Sequence, residues 1–379
     1  MMARLEEICA INMGQSPDSS TYNEDGNGLP FFQGNADFGE IYPAVRMWCS
    51  EPTKIAREKD ILISVRAPIG ALNIANCECC IGRGLAALTV NEDICAQEYL
   101  WHALSGKVDE LNSKGTGSTF KAINKKTLSE TEIPLPPIDE QHKIAAVLDK
   151  VSDLIAKRQQ QLDKLDEMIK ARFMEIFGDS ETNTKNWRVL PMSKICSVGS
   201  SKRIYQSEQS SSGVPFWRIS DLTSLITTGT VTPELYIPEE RYKELKTQGQ
   251  VPAPGDILIT SRGTLGQCYI VKVNDRFYFQ DGMISWLSGY MDGVTPLYIS
   301  YLFTMPGFRK QIDSMQAGST VAYLSITMIK KLKVMLPDIE SQQQFASFVS
   351  KTEKTKTTIS RSLEKLETLK KALMQEYFG

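Results

Sequence analysis

The sequence is poor in histidine and holds its cysteines in a pattern that does not suit a metal. It has two histidines in 379 residues, His102 and His142, far apart along the chain. Of its eight cysteines, only Cys77, Cys79 and Cys80 are clustered. A structural zinc site normally shows two cysteine or histidine pairs at short spacing, and no second pair is present. We therefore expect no metal site and interpret the cluster as small buried residues on a strand.

The sequence also lacks long apolar runs. No stretch approaches the roughly 18 apolar residues of a membrane span. Acidic residues occur within residues 1–7 and no apolar segment follows them, which is unlike a secretory signal. With several free thiols, these features predict a cytoplasmic protein that has no membrane partner.

An excess of positive charge is missing as well. The chain has 43 Lys and Arg against 45 Asp and Glu, a net charge of -2, whereas nucleic-acid-binding domains are usually basic. The total hides a gradient: residues 1–139 carry 12 basic and 19 acidic residues, residues 140–179 carry 7 and 8, residues 180–340 carry 17 and 14, and residues 341–379 carry 7 and 4. The total does not exclude DNA binding. It predicts stronger attraction to phosphate in the second half, and weak binding by this chain alone.

What the sequence does contain is one long internal repeat. Matching segments of the two copies lie 185 residues apart at the first motif listed below and 196 residues apart at the second. From the third motif to the end of the chain they lie 201 residues apart. Insertions are thus confined to the first part of each repeat, as in variable loops on a fixed frame. The matching segments are Pro30-Phe31-Phe32 and Pro215-Phe216-Trp217, residues 60–66 and 256–262, Gly117-Ser118-Thr119 and Gly318-Ser319-Thr320, and Phe177-Gly178 and Phe378-Gly379.

The first part of each repeat, residues 1–139 and 180–340, predicts a mixed α/β domain. Short apolar or β-branched runs broken by Gly, Pro, Asn and Ser indicate strands. Two longer stretches indicate helices, and each domain is large enough for its own core. The predicted strands are 61–65, 85–90, 269–273 and 284–287, and the predicted helices are 98–112 and 296–315.

The second part of each repeat, residues 140–179 and 341–379, predicts one long helix. Apolar residues recur along a heptad seam, which needs a partner helix. We expect the two helices, each about 58 Å long at roughly 1.5 Å per residue, to pair antiparallel, so that the second ends near the first domain. The seam residues are Leu148, Ile155, Leu162, Ile169 and Ile176 in the first helix, and Ile359, Leu363, Leu366, Leu373 and Tyr377 in the second.

This organisation predicts an α/β (α+β) protein with pseudo-two-fold symmetry, in which two related domains are separated by an antiparallel coiled-coil pair. Two recognition domains held apart by a helix pair would suit a ligand that is a long polymer with a regular structural repeat. B-DNA presents its major groove every roughly 34–36 Å. Because the two domains differ in sequence, their half-sites should differ, and the helix pair would act as a ruler between them.

At this point the residues resemble a known family, the specificity subunit of type I restriction-modification systems, over essentially the whole chain. The second copy of the junction motif is weaker than the first. The segments that carry the resemblance are Gly117-Ser118-Thr119, Ile133-Pro134-Leu135-Pro136-Pro137-Ile138-Asp139-Glu140-Gln141-His142-Lys143-Ile144-Ala145, Gly14-Gln15-Ser16-Pro17, Leu29-Pro30-Phe31-Phe32-Gln33-Gly34 and, in the second copy, Leu336-Pro337-Asp338-Ile339-Glu340-Ser341-Gln342.

The resemblance implies target-recognition domains at 1–139 and 180–340 and spacer helices at 140–179 and 341–379. It implies a subunit without catalysis or cofactor of its own that binds a bipartite, asymmetric sequence in double-stranded DNA. Its partners would be two modification subunits, adenine methyltransferases that use S-adenosylmethionine. Restriction subunits would add translocation and cleavage that depend on ATP and Mg²⁺.

Motifs for independent catalysis are missing. The only Pro-Pro pair, Pro136-Pro137, lacks the polar and aromatic neighbours of an adenine-methylase motif, and no Walker A loop exists. Gly82-Arg83-Gly84 loosely matches a dinucleotide-binding loop, but it leads into a predicted strand rather than a helix. Two alternatives stay open: a self-contained metal-dependent nuclease, and an architectural coiled-coil adaptor without sequence readout.

Candidate DNA-binding residues lie in polar, loop-like stretches. Arg can contact guanine or phosphate, Gln and Asn can pair with adenine, and glycine-flanked Ser and Thr can bind phosphate. Internal salt bridges and helix-capping turns are the structural alternatives, and Phe31, Phe32, Phe216 and Trp217 are interpreted as core aromatics. The candidates are Gln33, Asn35, Arg66, Arg83, Lys114, Ser118, Thr119, Lys121, Lys202, Arg203, Arg218, Arg262, Ser319, Thr320 and Tyr323.

Overall fold

The computed structural model describes residues 1–117, 121–316 and 322–379. It divides into two compact units, Met1–Gln160 with Ile359–Gly379, and Gln161–Thr358. Each unit therefore combines a globular α/β part with about half of each long helix. The domain boundaries predicted at 139, 179 and 340 stay a prediction.

The first unit contains eleven short strands among its described residues. They are β1 (Met2–Arg4), β2 (Cys9–Met13), β3 (Tyr22–Asn23), β4 (Leu29–Phe32), β5 (Trp48–Cys49), β6 (Ile55–Ala56), β7 (Ile61–Ser64), β8 (Leu72–Ile74), β9 (Cys79–Ile81), β10 (Leu85–Val90) and β11 (Glu132–Pro134). The helices are α1 (Leu5–Ile8), α2 (Gln97–Gly106), α3 (Val108–Ser113), α4 (Lys125–Ser129) and the long α5 (Ile138–Phe177), which continues into the second unit.

The central sheet of the first unit has the order β2-β10-β7-β8, with all pairs antiparallel. β7 is an uninterrupted apolar run because both faces of this sheet are covered. Ile61 and Ile63 lie in the core toward α2, whereas Leu62 lies in a second core on the opposite face. A five-stranded sheet, β3-β5-β4-β9-β6, flanks it and contains the parallel pair β4–β9.

The second unit contains nine strands among its described residues, and it has two helices between the third and fifth of them where the first unit has no α-helix at the corresponding place. The strands are β12 (Arg188–Pro191), β13 (Ser197–Gly199), β14 (Val214–Trp217), β15 (Tyr236–Ile237), β16 (Ile257–Thr260), β17 (Cys268–Ile270), β18 (Tyr278–Phe279), β19 (Ile284–Ser288) and β20 (Lys333–Leu336). The helices are α6 (Ile219–Thr228), α7 (Glu239–Thr247), α8 (Pro296–Leu302), α9 (Pro306–Ser314), α10 (Ile326–Lys331) and the long α11 (Ile339–Phe378).

The sequence repeat is a structural repeat. The central sheet of the second unit has the order β13-β19-β16-β17, which is the topology of β2-β10-β7-β8. β17 ends at Ile270, short of the predicted 273, because the Lys272 backbone N–H turns to donate to the carboxylate of Asp275 at 2.7 Å. The mixed α/β architecture of both repeats is thus confirmed.

The helices predicted at 98–112 and 296–315 are each divided into two, which corrects the sequence prediction. In the first unit the chain leaves the helical region at Lys107, with φ −98° and ψ 3°, between α2 and α3. In the second unit Pro306 begins a new helix, α9, at its first position. Proline lacks the N–H that a continuous helix would need there.

The two long helices run antiparallel, as their packing within each unit shows. In the first unit Leu148, near the start of α5, shares a core with Phe378 at the end of α11, and the Phe378 ring lies 5.2 Å from that of Tyr99. In the second unit Phe177, at the end of α5, packs on Phe345 near the start of α11 at 5.5 Å. Each helix has 40 residues, about 60 Å at roughly 1.5 Å per residue.

A buried glutamine locks the start of each long helix to its globular part. Gln141 accepts from the Ala96 backbone N–H at 2.9 Å and donates to the carbonyls of Ile94 and Pro136 at 3.1 and 2.8 Å. Gln342 makes the equivalent bonds in the second unit. This explains in physical terms why glutamine stands in both copies of the junction motif.

Replacing Gln141 with Leu should lower the free energy of unfolding by about 2–3 kcal/mol, because three backbone groups lose the partner that the buried Gln141 side chain provides. Urea unfolding of the full chain measures this loss. Gln160→Leu, at an exposed position on α5, is the matched control and should change stability by less than about 0.5 kcal/mol. Equal effects of the two substitutions would contradict the role of Gln141 as a lock.

Among the described residues, no helix combines the length and the apolar character needed to cross a lipid bilayer.

Candidate nucleic-acid interface

A polar cleft of about 300 Å³ opens in the first unit where three segments meet. The first segment comes after β4, the second comes after β7, and the third comes just before β10. Their backbones are tied together, since Gly84 N–H donates to the Gln33 carbonyl at 3.2 Å and Val65 N–H donates to the Gly84 carbonyl at 2.9 Å. The cleft gathers four predicted DNA-binding residues that are distant in sequence. Its lining residues are Gln33, Gly34, Asn35, Ala36, Asp37, Ser64, Arg66, Ala67, Arg83 and Gly84.

The Gly82-Arg83-Gly84 segment owes its glycines to close backbone packing. A Cβ on Gly84 would lie 2.5 Å from the Gln33 carbonyl oxygen, and one on Gly82 would lie 3.0 Å from the Gln33 Cα. The segment leads directly into strand β10, as the sequence predicted. The two glycines therefore serve to hold Arg83 beside Gln33 at the mouth of the cleft.

The cleft concentrates positive charge that its surroundings do not neutralise. Arg66 and Arg83 are exposed, and neither has an ion-pair partner among residues 1–117, 121–316 and 322–379. Asp37 contributes a carboxylate, whose Oδ2 accepts the backbone N–H of Gln33 at 2.8 Å and of Gly34 at 3.4 Å. The lining thus offers both donors and acceptors to a ligand.

The loop before α4 borders this cleft. The Ala67 N–H donates to the Lys121 carbonyl at 3.1 Å, and Arg66 forms an isolated β-bridge with Ala122. Lys114, in contrast, is paired with Glu110 at 2.6 Å, and this hydrogen bond holds the pKa of the Glu110 carboxyl below its ordinary value. Ser118 and Thr119 lie outside the described residues.

The second unit repeats the frame but changes the side chains. Ser261 N–H donates to the Met283 carbonyl at 2.9 Å, which is the counterpart of the bond between Val65 and Gly84. Arg262 therefore occupies the place of Arg66. Its guanidinium lies over the Tyr323 ring, 5.3 Å from the centroid, which is the geometry of a cation–π contact.

Tyr323 is itself held by Gln316. The Gln316 side chain accepts from the Tyr323 N–H at 2.9 Å and donates to its carbonyl at 3.0 Å. In the first unit the corresponding closure is a backbone pair, Thr116 with Ala122. Ser319 and Thr320 lie between these anchor points and are outside the residues that the structure describes.

Arg218 takes the place of Gln33 after the corresponding strand, β14, but its charge is compensated. Its guanidinium lies 3.3 Å from Asp221 and 2.9 Å from Glu234. Hydrogen bonding to Asp221, followed by that to Glu234, raises the pKa of Arg218 above its ordinary value. The two units therefore present different chemistry at equivalent positions.

Lys202 and Arg203 lie in the loop that follows β13 in the second unit. The Lys202 N–H donates to the Tyr278 hydroxyl at 2.8 Å, which fixes the backbone from which both side chains project. Arg203 pairs with Asp281 at 2.9 Å, and its side chain remains 65% exposed. The carboxylate partners of Arg203 and Arg218 were not predicted from the sequence.

The predicted core aromatics are confirmed. Phe31, Phe32, Phe216 and Trp217 are buried, with at most 6% of each exposed. Trp217 stacks on Phe277 with ring centroids 3.6 Å apart. These rings fill the domain cores and are not available for stacking on bases.

Two of the three clustered cysteines are buried strand residues, whereas Cys77 lies before β9 and is only partly buried, which corrects the prediction for that residue. Cys79 and Cys80 lie on β9 and are fully buried, as predicted. Burial raises the pKa of the Cys79 thiol to about 12. Within the described part of the chain, no group of three or more His, Cys, Asp and Glu side chains is arranged to hold a metal ion.

The fold and the cleft define a repeated two-unit protein with polar recognition loops on a rigid frame. The model of the family described as type I restriction modification DNA specificity domain matches residues 1–167 and again 184–368. Because these matches cover most of the chain, the chain belongs to this family.

Known relatives agree with this assignment. A putative type I restriction enzyme MjaX specificity subunit from Methanocaldococcus jannaschii is 43% identical over 180 residues, covering 48% of this chain and 42% of the relative. A putative type I restriction enzyme specificity subunit from Haemophilus influenzae is 26% identical over 252 residues, covering 65% of this chain and 62% of the relative. The alignments thus span about half the length of these relatives.

A solved structure supports the fold. The S subunit of a type I restriction-modification system from M. genitalium is similar over 100% of this chain and 96% of its own, with a TM-score of 0.59 and 16% sequence identity. This likeness confirms two mixed α/β domains joined by long helices.

Proposed function

We propose that this chain recognises a bipartite, asymmetric sequence in double-stranded DNA and directs methyltransferase and restriction subunits to it. The observation that carries the proposal is that the two units share one backbone frame but place different side chains on it. The same hydrogen-bonded frame presents Gln33 with two arginines that have no ion-pair partner among the described residues in one unit, and Arg218 with two carboxylates in the other. One frame with two chemistries suits two different half-sites.

The recognition residues would lie around the cleft of the first unit and at the corresponding positions of the second. Gln33, Asn35, Arg66, Arg83 and Lys121 would act in the first unit, and Lys202, Arg203, Arg218, Arg262 and Tyr323 in the second. Ser118, Thr119, Ser319 and Thr320 stay proposed phosphate contacts, and Lys114 would contact phosphate only by leaving Glu110.

The long helices would set the spacing between half-sites and dock two modification subunits. Their surfaces retain apolar side chains that no globular part covers. Val147 is 42% exposed, Met168 51% and Leu369 45%. A modification subunit that docks on the helices would cover these side chains.

The chemistry would belong to the partners. We propose no cofactor and no catalytic residue in this chain. S-adenosylmethionine would be bound by the methyltransferase, and ATP and Mg²⁺ by the restriction subunit. The cytoplasm, where DNA and both cofactors are available, is the proposed location.

Incubation of this chain with its methyltransferase partner, labelled S-adenosylmethionine and random-sequence DNA tests the proposal. Label should enter adenine at one bipartite motif, and omission of this chain should abolish that motif. An architectural adaptor would instead leave the partner's methylation pattern unchanged. DNA cleavage by the isolated chain with a divalent metal would favour the nuclease alternative.

A further inference from the structure

Resting on this proposed function, we infer that the cleft of the first unit reads a G·C base pair. Arg66 and Arg83 supply the donors for guanine O6 and N7, and Asp37 accepts from the amino group of the paired cytosine. Arginine forks onto guanine, and a carboxylate accepts from cytosine N4, are the pairings that the major-groove edge of G·C favours.

The two guanidinium groups are the first support. Residues 1–139 are acidic overall, with 12 basic and 19 acidic residues. Arg66 and Arg83 nevertheless converge on one cleft, and both lack ion-pair partners within the described ranges. An electron-rich ligand is therefore the natural complement of this part of an otherwise acidic domain.

Asp37 indicates that the ligand of the cleft is a base edge and not a phosphate group. Its Oδ2 is used by the Gln33 and Gly34 amides, and its Oδ1 has no hydrogen-bond partner among the described residues. A carboxylate on the cleft wall repels a phosphate, which only accepts hydrogen bonds. It suits a ligand that carries an amino donor beside two acceptors, and the G·C edge is such a ligand.

The backbone segments that carry the two arginines are also held in place before any ligand arrives. The backbone of Arg83 is fixed between Gly82 and Gly84, and its N–H donates to Ser16 Oγ at 3.3 Å. Ser64 Oγ donates to the Arg66 carbonyl at 2.8 Å. Arginines that project from a fixed backbone lose less entropy when they form a bidentate contact.

The second unit provides the contrast. At the position of Gln33 it places Arg218, whose guanidinium is already bound by Asp221 and Glu234. A paired guanidinium has fewer free donors and little net charge to offer. At the position of Arg66 the second unit keeps an arginine, Arg262, whose guanidinium lies over the Tyr323 ring. At the position of Arg83, directly before the residue that accepts from Ser261, it has Gly282. The pair of arginines that the proposed G·C reading needs is thus a property of the first unit.

The test replaces each cleft arginine with lysine in the full chain, assembled with its methyltransferase partner, and determines the methylated motif by sequencing. Lysine keeps the charge but loses the planar fork. We expect Arg66→Lys or Arg83→Lys to reduce discrimination at one G·C position of one half-site by about 10- to 100-fold. The other half-site should be unchanged.

Asp37→Asn and Arg57→Lys complete the experiment. Asp37→Asn should relax the same position, whereas Arg57→Lys, an exposed arginine at the opposite end of β7, should leave the motif intact. A uniform loss of methylation with an unaltered motif in both arginine variants would overturn the inference, since it is the result for phosphate contacts. If wild-type assemblies showed no site-specific methylation at all, the proposed function itself would fail.

Discussion

A four-residue insertion in both long helices is expected to abolish methylation at the wild-type target and to create it at a target with a longer gap. Four residues add about 6 Å to each helix at roughly 1.5 Å per residue, close to two base pairs at roughly 3.4 Å each. Insertions after Gln160 in α5 and after Thr358 in α11 fall at the boundary between the compact units. Sequencing of methylated DNA gives the new gap.

Two controls make this result interpretable. A seven-residue insertion in both helices preserves the heptad phase and should lengthen the gap by about three base pairs, from roughly 10.5 Å of added helix. An insertion in α5 alone mismatches the two helices and should abolish methylation without a new target. Full methylation at the original gap after the double insertion would show that the helices do not set the spacing.

Phe173→Ala is expected to destabilise the second unit by about 3–5 kcal/mol. Phe173 is fully buried. Its ring lies 4.7 Å from Phe177, 5.4 Å from Phe345 and 5.7 Å from Tyr298, parallel to the last. The substitution removes the centre of an aromatic cluster that joins α5, α11 and α8 and leaves a cavity there.

Urea unfolding of the full chain measures this effect, with Met168→Ala on the same helix as the matched control. Met168 is 51% exposed, so its loss should cost less than about 0.5 kcal/mol. A decrease below about 1 kcal/mol for Phe173→Ala would contradict the assignment of this cluster as the anchor between the helices and the second globular part.

The fold was largely predictable because its signals are repeated. The apolar runs at β7 and β16 are buried on both faces, and such strands can be found without knowledge of their neighbours. The heptad seam predicted the long helices and the need of each for a partner helix, whereas their antiparallel direction was a separate expectation that the packing confirms. The breaks within the predicted helices 98–112 and 296–315 were missed. Both breaks have a signal in the sequence, Gly106 at the end of α2 and Pro306 at the start of α9, but the apolar periodicity continues across them.

The candidate site was predictable as a set of residues, but its internal pairing was not. Gln33, Asn35, Arg66 and Arg83 do meet in one cleft. Whether an arginine is free depends on carboxylates from distant segments, such as Asp281 beside Arg203, 78 positions away. Sequence spacing carries no information on such contacts.

Asp37 was missed although a signal existed. An aspartate accepts the backbone N–H of the residue that follows the strand in both repeats, Asp37 for Gln33 and Asp221 for Arg218. When the two repeats are aligned at Pro30 and Pro215, Asp37 and Asp221 fall one position apart, which hides their correspondence. The structure removes the ambiguity because the hydrogen bonds identify equivalent residues.

The charge gradient acquires a structural meaning from the cleft. The first domain is acidic overall, yet one cleft is lined by two arginines that have no ion-pair partner in the part of the chain that the structure describes. The second domain is basic overall, yet it compensates Arg203 and Arg218 with carboxylates. Local arrangement, more than net charge, determines what each unit can bind.

The most direct test of the central claim is adenine methylation across the genome of a host that carries this chain and its methyltransferase partner, compared with the same host lacking this chain. The account predicts that one bipartite, asymmetric motif is methylated only when the chain is present, and that it returns when the chain is restored. An unchanged set of methylated motifs in the two hosts would contradict it.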